Sequence, residues 1–361
     1  MMQDQHLSKG ARVVVAMSGG VDSSVVAALF AEAGFDTIGI TLQLYDNGAA
    51  RGRKGACCAG QDIRDAREVC DRLGIPHYVL DMEERFREAV IEDFAANYVA
   101  GRTPVPCIRC NQSVKFHDLL GVARDLGAEA LATGHYVRRV QNGAAAEMHK
   151  ARDRAKDQSY FLFATTREQL DYSRFPLGDL EKHETRAEAE RLALPVARKP
   201  ESQDICFVPE GHYSALVGKL RPEALAEGEI VGVDGTVLGR HKGVGNYTVG
   251  QRRGLEISTG ERLYVVEIDP GRHRITVGPR EATLSNGAEL RDINLLADLD
   301  GEVEVMVKHR YNEPAVPARF DSNKASITFA EPQGSIARGQ AAVVYDGERV
   351  LGGGWIEAAV A

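Results

Sequence analysis

Up to about residue 210, the chain alternates short β-branched apolar runs with longer stretches whose apolar residues recur at helical spacing. The runs predict buried strands, and the longer stretches predict amphipathic helices. The predicted strands are residues 12–17, 36–44, 77–82 and 128–134, and the predicted helices are 21–33, 61–73, 83–100 and 110–126. Strands that alternate with helices form parallel βαβ units. The predicted fold class is therefore α/β, a doubly wound parallel sheet with its ligand at the carboxyl ends of the strands.

Beyond residue 210 the pattern changes to short strands separated by glycine and aspartate turns. Residues 228–249 and 255–277 contain such strands, and from about residue 282 the chain is nearly all short alternating strands. This pattern is typical of a small β-barrel or sandwich. A chain of 361 residues is long enough for two or three domains.

Composition narrows the class of protein. Hydrophobic residues make up 43% and charged residues 27%, as in a folded globular protein. No apolar run is long enough to span a membrane, and the first ten residues lack the apolar core of a secretion signal, so a cytoplasmic protein is expected. The net charge of −8 argues against a nonspecific nucleic-acid coat, and an RNA partner would need local basic patches.

The sequence SGGVDS at positions 18–23 lies between the first predicted strand and the first predicted helix. Its two glycines allow a tight turn, and the helix start offers free N–H groups and the positive end of a dipole. No lysine follows, so this is not the GxxxxGK[ST] loop that holds β- and γ-phosphates. The segment therefore predicts an anion-binding turn, and the alternative is a glycine-rich turn with no ligand.

Six cysteines stand at positions 57, 58, 70, 107, 110 and 206. Without a secretion signal they are not expected to form a structural disulfide framework, which leaves catalytic, metal-binding or inert thiols. Cys107 and Cys110 have C-x-x-C spacing, and Cys110 is predicted to open a helix, where the dipole lowers the thiol pKa. Cys206 lies in a polar stretch of loop character, whereas Cys70 has the spacing of a core residue.

Eight motifs together carry a resemblance to a known family. They are SGGVDS (18–23), RTPVPCIRCN (102–111), TGHY (133–136), KDQSY (156–160), SQDICF (202–207), GQRRGL (250–255), RYN (310–312) and LGGGWI (351–356). In this order they resemble the tRNA-specific 2-thiouridylases (the MnmA/TrmU family) over almost the whole chain. SGGVDS itself resembles the PP-loop of the ATP pyrophosphatase superfamily, whose members cleave ATP between the α- and β-phosphates.

The resemblance implies three domains: a Rossmann-like PP-loop domain at 1–210, a small central domain at 211–281 and a C-terminal β-barrel at 282–361. It also implies a transferase that thiolates the wobble uridine of Lys, Glu and Gln tRNAs. ATP would adenylate the 2-oxo group, with Mg²⁺ on the phosphates. A cysteine desulfurase or sulfur-relay protein would supply a persulfide, and the enzyme is expected to be a monomer.

Residue roles carried over from the family are expectations. Cys110 resembles the nucleophile, and Cys206 resembles the cysteine that carries the persulfide, so that turnover would end with a Cys110–Cys206 disulfide bond. The residues that resemble the ATP site are Ala16, Met17, Ser18, Gly19, Gly20, Val21, Asp22, Ser23, Leu42 and Gly134. The residues that resemble tRNA contacts are Val105, Pro106, Cys107, His135, Lys156, Asp157, Gln158, Arg310, Tyr311 and Gln340.

Cys107 departs from the family pattern, because many relatives carry aspartate there. Cys107 is then either a passive substitute or, with Cys110 and Cys206, a ligand of a [4Fe–4S] cluster whose fourth iron holds sulfide. Two broader alternatives are another PP-loop ligase, which needs no cysteine trio, and a non-enzymatic redox or iron–sulfur protein. The complete SGGVDS loop argues against the latter, and four nearby zinc ligands are not evident.

Overall fold

The computed structural model describes residues 7–45, 59–201, 205–208, 213–257 and 260–361. Contacts divide the chain into two compact units. The first comprises Met1–Ala89, Cys107–Gly211 and Glu348–Val350, and the second comprises Val90–Pro106, His212–Gly347 and Leu351–Ala361. Cys57 and Cys58 lie outside the described residues. The division into three domains stays a prediction.

The first unit is built on a parallel sheet. Its strands are β1 (Arg12–Ala16), β2 (Asp36–Gln43), β3 (His77–Asp81), β4 (Ala130–Ala132), β5 (Val137–Asn142), β6 (Ala145–Lys150) and β7 (Ser173–Arg174). The sheet order is β3-β2-β1-β4-β7 with every neighbouring pair parallel, and β5 and β6 form an antiparallel hairpin outside this sheet. The chain turns to opposite sides of β1, so the carboxyl ends of β1 and β4 flank the crevice where α/β sheets bind ligands. The predicted doubly wound α/β sheet is confirmed.

Ten α-helices are described. They are α1 (Val21–Glu32), α2 (Ala59–Leu73), α3 (Glu83–Phe86), α4 (Asp93–Val99), α5 (Pro106–Arg109), α6 (Leu119–Asp125), α7 (Ser159–Leu162), α8 (Arg167–Tyr172), α9 (Lys182–Arg191) and α10 (Tyr213–Leu220). Four short 3₁₀ turns occur at Pro176–Asp179, Pro222–Leu225, Val244–Asn246 and Arg280–Thr283. Among the described residues, none of these helices has the length and apolar character needed to cross a membrane.

Two π-helical segments, Arg87–Glu92 and Cys110–Asp118, join α3 to α4 and α5 to α6. The continuous helix made of α5, the second π-helical segment and α6 therefore begins at Pro106, whereas the sequence predicted a helix start at Cys110. Proline suits the first helical position because its ring fixes φ near the helical value and it has no N–H to leave unpaired. Cys107 and Cys110 both lie inside this helix.

The core of the first unit lies between β1 and the helices α1 and α2. Val13 and Val15 of β1 and Phe30 of α1 are completely buried, and each such side chain contributes about 1.5–3 kcal/mol. Cys70 of α2 is also completely buried, and its Sγ would lie 2.7 Å from a Cβ on Gly39. Cys70 is therefore a core residue, as predicted.

The second unit contains two antiparallel-rich sheets. The strands are β8 (Gly228–Gly232), β9 (Val237–His241), β10 (Tyr264–Asp269), β11 (Arg274–Gly278), β12 (Leu284–Leu295), β13 (Glu302–Lys308), β14 (Val316–Asp321), β15 (Ser326–Gly334), β16 (Ala341–Asp346) and β17 (Arg349–Val360). The strands β8 to β11 form a sheet in the order β10-β11-β8-β9. The strands β12 to β17 run in the order β12-β15-β14-β13-β16-β17 and close through β12–β17 pairing. The C-terminal strands thus form a closed barrel, which removes the sandwich alternative.

Candidate active site

The loop between β1 and α1 turns so tightly that only glycine fits at position 19. Gly19 has φ +71°, and a Cβ there would lie 2.2 Å from the carbonyl oxygen of Asp62. The N–H of Ser18 donates to Oγ of Ser23 at 3.1 Å, and the two hydroxyls are 3.1 Å apart. Gly20 precedes α1 and provides no side-chain cap. Uncapped N–H groups and clustered hydroxyls at a helix start suit an anion such as phosphate.

The segment after β4 packs directly against this loop. A Cβ on Gly134 would lie 2.9 Å from the backbone nitrogen of Ser23, so the close approach requires glycine. Two residues later, the hydroxyl of Tyr136 donates to Oδ1 of Asp22 at 3.0 Å and also contacts Thr185. The structure thus brings together SGGVDS and TGHY, which stand far apart in the sequence.

Asp22 also forms an ion pair with a lysine that the sequence analysis did not predict as part of the site. Nζ of Lys182, the first residue of α9, lies 2.6 and 2.8 Å from the carboxylate oxygens of Asp22. The same Nζ lies 2.9 Å from Glu201, which also receives Lys156 at 2.6 Å. Burial alone would raise the pKa of the Glu201 carboxyl, but its hydrogen bonds from Lys156 and Lys182 outweigh burial and lower that pKa to about 2.

A second unpredicted lysine fastens the candidate phosphate loop, residues 16–23, to α2. Nζ of Lys199 donates to the carbonyl oxygen of Gly19 at 2.9 Å and to Asp62 at 2.7 Å, and it also contacts Asp65. An ammonium group has three N–H donors, so these three acceptors satisfy the Lys199 side chain around one turn. Neither lysine belongs to a recognisable motif, so only the folded chain reveals these roles.

The three candidate thiols differ in exposure. Cys107 in α5 is exposed, whereas Cys110, one turn later, is buried with 8% of its surface accessible. Cys206 is exposed and lies in a turn without regular structure, next to Phe207, whose ring packs 5.7 Å from that of Phe86. All three are free thiols. The predicted loop character of the Cys206 segment agrees with its described residues.

The thiols influence one another electrostatically. Burial raises the pKa of Cys110, and the charge of Cys107 adds to the rise. Partial desolvation also raises the pKa of Cys206, although the residue is exposed, and charges on Cys110 and Cys107 raise it further. The prediction that a helix start lowers the pKa of Cys110 is wrong, because Cys110 lies inside the helix and is buried.

The positive charge of Lys115 opposes the rise of the thiol pKa values. The sequence analysis did not predict this lysine as part of the site. Burial raises the pKa of Cys107 as well, and the charge of Lys115 acts in the lowering direction on the pKa of Cys107, Cys110 and Cys206. Lys115 lies five residues after Cys110 within the π-helical segment, and π winding joins residues five apart by hydrogen bonds, which brings them to one side of the helix. Among the described residues Lys115 forms no ion pair, so its charge remains available to a thiolate.

Four of the candidate RNA contacts of the first unit are already engaged in the protein. Lys156 pairs with Glu201, and Asp157 accepts hydrogen bonds from the N–H of Ala151 and the hydroxyl of Ser159. Oε1 of Gln158 accepts the N–H of Tyr136 at 2.9 Å. His135 accepts or donates a hydrogen bond with Thr133 at 2.8 Å, and burial holds its pKa well below the usual value. These residues shape the wall beside the phosphate loop.

Three candidate RNA contacts of the second unit, Arg310, Tyr311 and Gln340, line a cavity of about 460 Å³ formed by residues 248–251, 310–313, 337 and 340. Arg310 donates from one guanidinium nitrogen to the carbonyl oxygens of Val249 and Ser335, both at 2.9 Å. Tyr311 is exposed, with Nζ of Lys308 5.1 Å from its ring centre. Arg310 therefore holds two loops together, while the rim of the cavity stays accessible.

Three family models match consecutive parts of the chain. They are described as a tRNA methyl transferase HUP domain at residues 11–210, a tRNA methyl transferase PRC-barrel domain at 216–279 and an aminomethyltransferase beta-barrel domain at 285–356. A protein of Rhizorhabdus wittichii named tRNA-specific 2-thiouridylase MnmA is 62% identical over 97% of this chain and 93% of its own length.

Proteins with the same name from Parvibaculum lavamentivorans and Rhodospirillum centenum are 59% and 60% identical. Each alignment covers 96% of this chain, with 90% and 91% of the respective relative. The chain belongs to the MnmA family. The resemblance drawn from the eight motifs is therefore confirmed.

Membership of the MnmA family leaves the individual site residues as predictions, and the structure shows how they are arranged. In the structure, Gly134 packs against the loop at 16–23, and Leu42 lies near the carboxyl end of β2. The structure adds Lys182, Lys199 and Lys115 to the candidate site. Val105 and Pro106 precede the exposed Cys107, and Pro106 is itself buried.

We expect Gly19→Ala to weaken ATP binding more than a matched glycine substitution elsewhere. The control is Gly34→Ala, which has a similar φ of +81° but no atom within 4 Å of the added Cβ. Gly34→Ala should cost only the left-handed backbone strain of about 1–2 kcal/mol. Calorimetric titration with ATP and urea unfolding would measure both effects, and equal ATP affinity in the two variants would contradict a phosphate role for this loop.

We expect Lys115→Met to slow alkylation of the thiols at a fixed pH near 8. Removing the ammonium raises the thiol pKa values further, and below the pKa each added unit reduces the thiolate fraction about tenfold. Lys115→Arg, which keeps the charge, is the matched control. Iodoacetamide rates at each cysteine, read by peptide mass spectrometry, measure the effect. Indistinguishable rates in the Met and Arg variants would refute it.

Proposed function

We propose that this protein is an ATP-dependent tRNA-uridine 2-sulfurtransferase that acts on the wobble uridine of Lys, Glu and Gln tRNAs. The observation that carries the proposal is the ion-pair chain from Asp22 through Lys182 to Glu201. It connects the loop at 16–23 with Glu201, which stands five residues before Cys206 in the sequence. The phosphate loop and the three thiols thus belong to one compact unit, as a reaction with both ATP and sulfur requires.

The first step activates a poor leaving group. The 2-oxo oxygen of uridine attacks the α-phosphorus of ATP, so that pyrophosphate departs and the oxygen becomes an adenylate. The N–H groups at the start of α1 and the hydroxyls of Ser18 and Ser23 are suited to stabilise negative charge on the phosphates. Gly134 gives the neighbouring segment close access to this loop.

The second step exchanges oxygen for sulfur. The terminal sulfur of a Cys206 persulfide attacks C2 and displaces AMP, after which the Cys110 thiolate attacks the Cys206 sulfur and releases 2-thiouridine. Alternatively, Cys110 attacks first and frees sulfide, which then attacks C2. Both routes leave a Cys110–Cys206 disulfide bond and need a reductant for another turnover. The Lys115 charge favours the thiolate that either route requires.

A magnesium ion suits the phosphates rather than a protein cage. Within the described parts of the chain, no group of three or more His, Cys, Asp or Glu side chains is arranged to hold a metal. Mg²⁺ usually binds through substrate phosphates, water and one or two carboxylates, and Asp22 is the carboxylate of the 16–23 loop. Bound there, the ion would neutralise charge on the leaving pyrophosphate.

The [4Fe–4S] alternative would use Cys107, Cys110 and Cys206 as ligands, and we favour the persulfide route because the resemblance over the whole chain is to the 2-thiouridylases. Another PP-loop ligase would have no use for thiols that are electrostatically coupled. The exposure of Cys206 supports delivery of sulfur by a partner protein, a cysteine desulfurase or sulfur-relay protein. We further propose that the reaction takes place in the cytoplasm on free tRNA, with the enzyme as a monomer.

We expect tRNA-dependent release of AMP and pyrophosphate, and we expect Cys110→Ser and Cys206→Ser to abolish thiolation while this release continues. The thiols act only after the oxygen is activated, so adenylation does not need them. Cys70→Ala is the matched control, because Cys70 is a completely buried core thiol to which the mechanism gives no role. Nucleotide chromatography and mass spectrometry of tRNA nucleosides measure the two products. ADP and phosphate as products, or full sulfur transfer by either serine variant, would contradict this mechanism.

We expect a double variant, Arg252→Ala with Arg253→Ala, to reduce the salt dependence of tRNA binding. Both arginines are exposed and follow Gln251, which lines the 460 Å³ cavity. Each arginine that no longer neutralises a tRNA phosphate should lower the slope of log affinity against log salt by about one unit. Filter binding over a salt series measures the slope, and an unchanged slope would place the RNA surface elsewhere.

Arg310→Ala is the comparison for that double variant. Because its guanidinium binds two backbone carbonyls, its loss should lower the free energy of unfolding by about 1–3 kcal/mol. The sequence alone assigned Arg310 to tRNA contact. A loss of tRNA affinity with unchanged stability would restore that direct role.

A further inference from the structure

Cys107 and Cys110 lie about one turn apart on the same continuous helix. Both belong to the helix that begins at Pro106, and they are three residues apart. Helix geometry places the Cα atoms of residues three apart about 5 Å from each other, and disulfides span Cα distances of about 4.4–6.8 Å. The helix thus presents a pair of thiols at a separation that a disulfide bond can bridge.

The local backbone allows the small movement that closure needs. Cys107 is the second residue of the helix, and the N–H groups of a helical first turn have no partner within the helix. Shifting Cys107 therefore breaks no helical hydrogen bond of its own N–H. Cys110 begins the π-helical segment and is anchored more deeply, since its neighbour Asn111 donates to the carbonyl oxygen of Phe161 at 3.1 Å.

The pair is also asymmetric in access. Cys107 is exposed, whereas Cys110 is buried. The charge on Cys107 acts on both Cys110 and Cys206, which places the three thiols within electrostatic range of one another. A reagent in solution can therefore reach Cys107 more readily than Cys110.

We propose that Cys107 is a resolving thiol that opens the Cys110–Cys206 disulfide left by each sulfur transfer. The Cys107 thiolate attacks the Cys110 sulfur, the Cys110–Cys206 bond breaks, and Cys206 leaves as a thiolate that takes up a proton. A Cys107–Cys110 disulfide forms, with no net change in oxidation state. A dithiol reductant then attacks the exposed Cys107 sulfur, is itself oxidised to a disulfide and restores both thiols. This inference rests on the proposed two-cysteine sulfur transfer.

The exchange separates the reduction of the disulfide bond from the loading of the next persulfide on Cys206, which would otherwise have to wait for that reduction. Once released, Cys206 can accept the next persulfide before the oxidised pair has been reduced. An aspartate at position 107 would offer no sulfur for the exchange, so the reductant would then have to act on the Cys110–Cys206 bond itself. The cysteine at position 107 therefore gives this chain its own route of reduction.

The first experiment maps disulfides after one turnover. Enzyme carrying the persulfide is mixed with ATP and tRNA without reductant, quenched in acid, treated with N-ethylmaleimide and analysed as peptides. The wild type should contain a Cys107–Cys110 bond and an alkylated Cys206, whereas Cys107→Ser and Cys107→Asp should contain Cys110–Cys206. A wild type that retains Cys110–Cys206 with Cys107 alkylated overturns the proposal. Thiolated tRNA with no disulfide at Cys110 overturns the sulfur relay and the resolving role together.

The second experiment needs no turnover, so it tests the exchange even if the proposed function fails. Reduced protein is equilibrated with graded ratios of oxidised and reduced glutathione, and the bonds are mapped in the same way. The Cys107–Cys110 bond should form in the wild type and in Cys206→Ser, and it should be lost in Cys107→Asp. Its absence from the wild type at every ratio that oxidises Cys110 would overturn the proposal. A third measurement follows thiolation over several turnovers, with each protein's later yield divided by its own first-turnover yield. When the dithiol is limiting, this ratio should be lower in Cys107→Ser than in the wild type. At high dithiol, the ratio in Cys107→Ser should return to the wild-type value.

Discussion

The ion pair between Asp22 and Lys182 holds the candidate site together. Asp22 lies in the phosphate loop, and its carboxylate also accepts a hydrogen bond from the Tyr136 hydroxyl. Lys182 forms ion pairs with both Asp22 and Glu201. The side chains of Asp22 and Lys182 are only 30% and 13% exposed, so breaking the pair would leave a poorly hydrated charge, which costs more than losing a surface ion pair. Lys182 thus joins the loop at 16–23 to Glu201 through two ion pairs.

Much of the fold could be predicted because local patterns determine it. The β-branched runs became β1 to β3, and the turn at Gly19 is where a tight backbone requires glycine. The hairpin of β5 and β6 was missed, although Asn142 and Gly143 are typical of such a turn. The ion pair of Lys182 with Asp22 could not be predicted, because 160 residues separate the partners and no motif marks the lysine.

The thiols also show which properties the spacing of residues can predict and which depend on the folded surroundings. The C-x-x-C spacing indicated a functional pair, but the helix start at Pro106 placed Cys110 inside a helix and buried it. Burial then reversed the expected direction of its pKa shift, and Lys115 supplies the opposing charge through the π-helical segment. Spacing along the chain thus indicates candidate reactive groups, whereas their acidity depends on surroundings that only the folded chain creates.

In the proposed reaction, sulfur passes from Cys206 to tRNA in a step driven by ATP. The most direct test is a single turnover with enzyme whose Cys206 carries an isotopically labelled persulfide, freed of all donor before ATP and tRNA are added. The label should appear in 2-thiouridine, in equal amount to the AMP released, and only when ATP is present. Unlabelled 2-thiouridine, or label that stays on the protein while AMP is released, would contradict it.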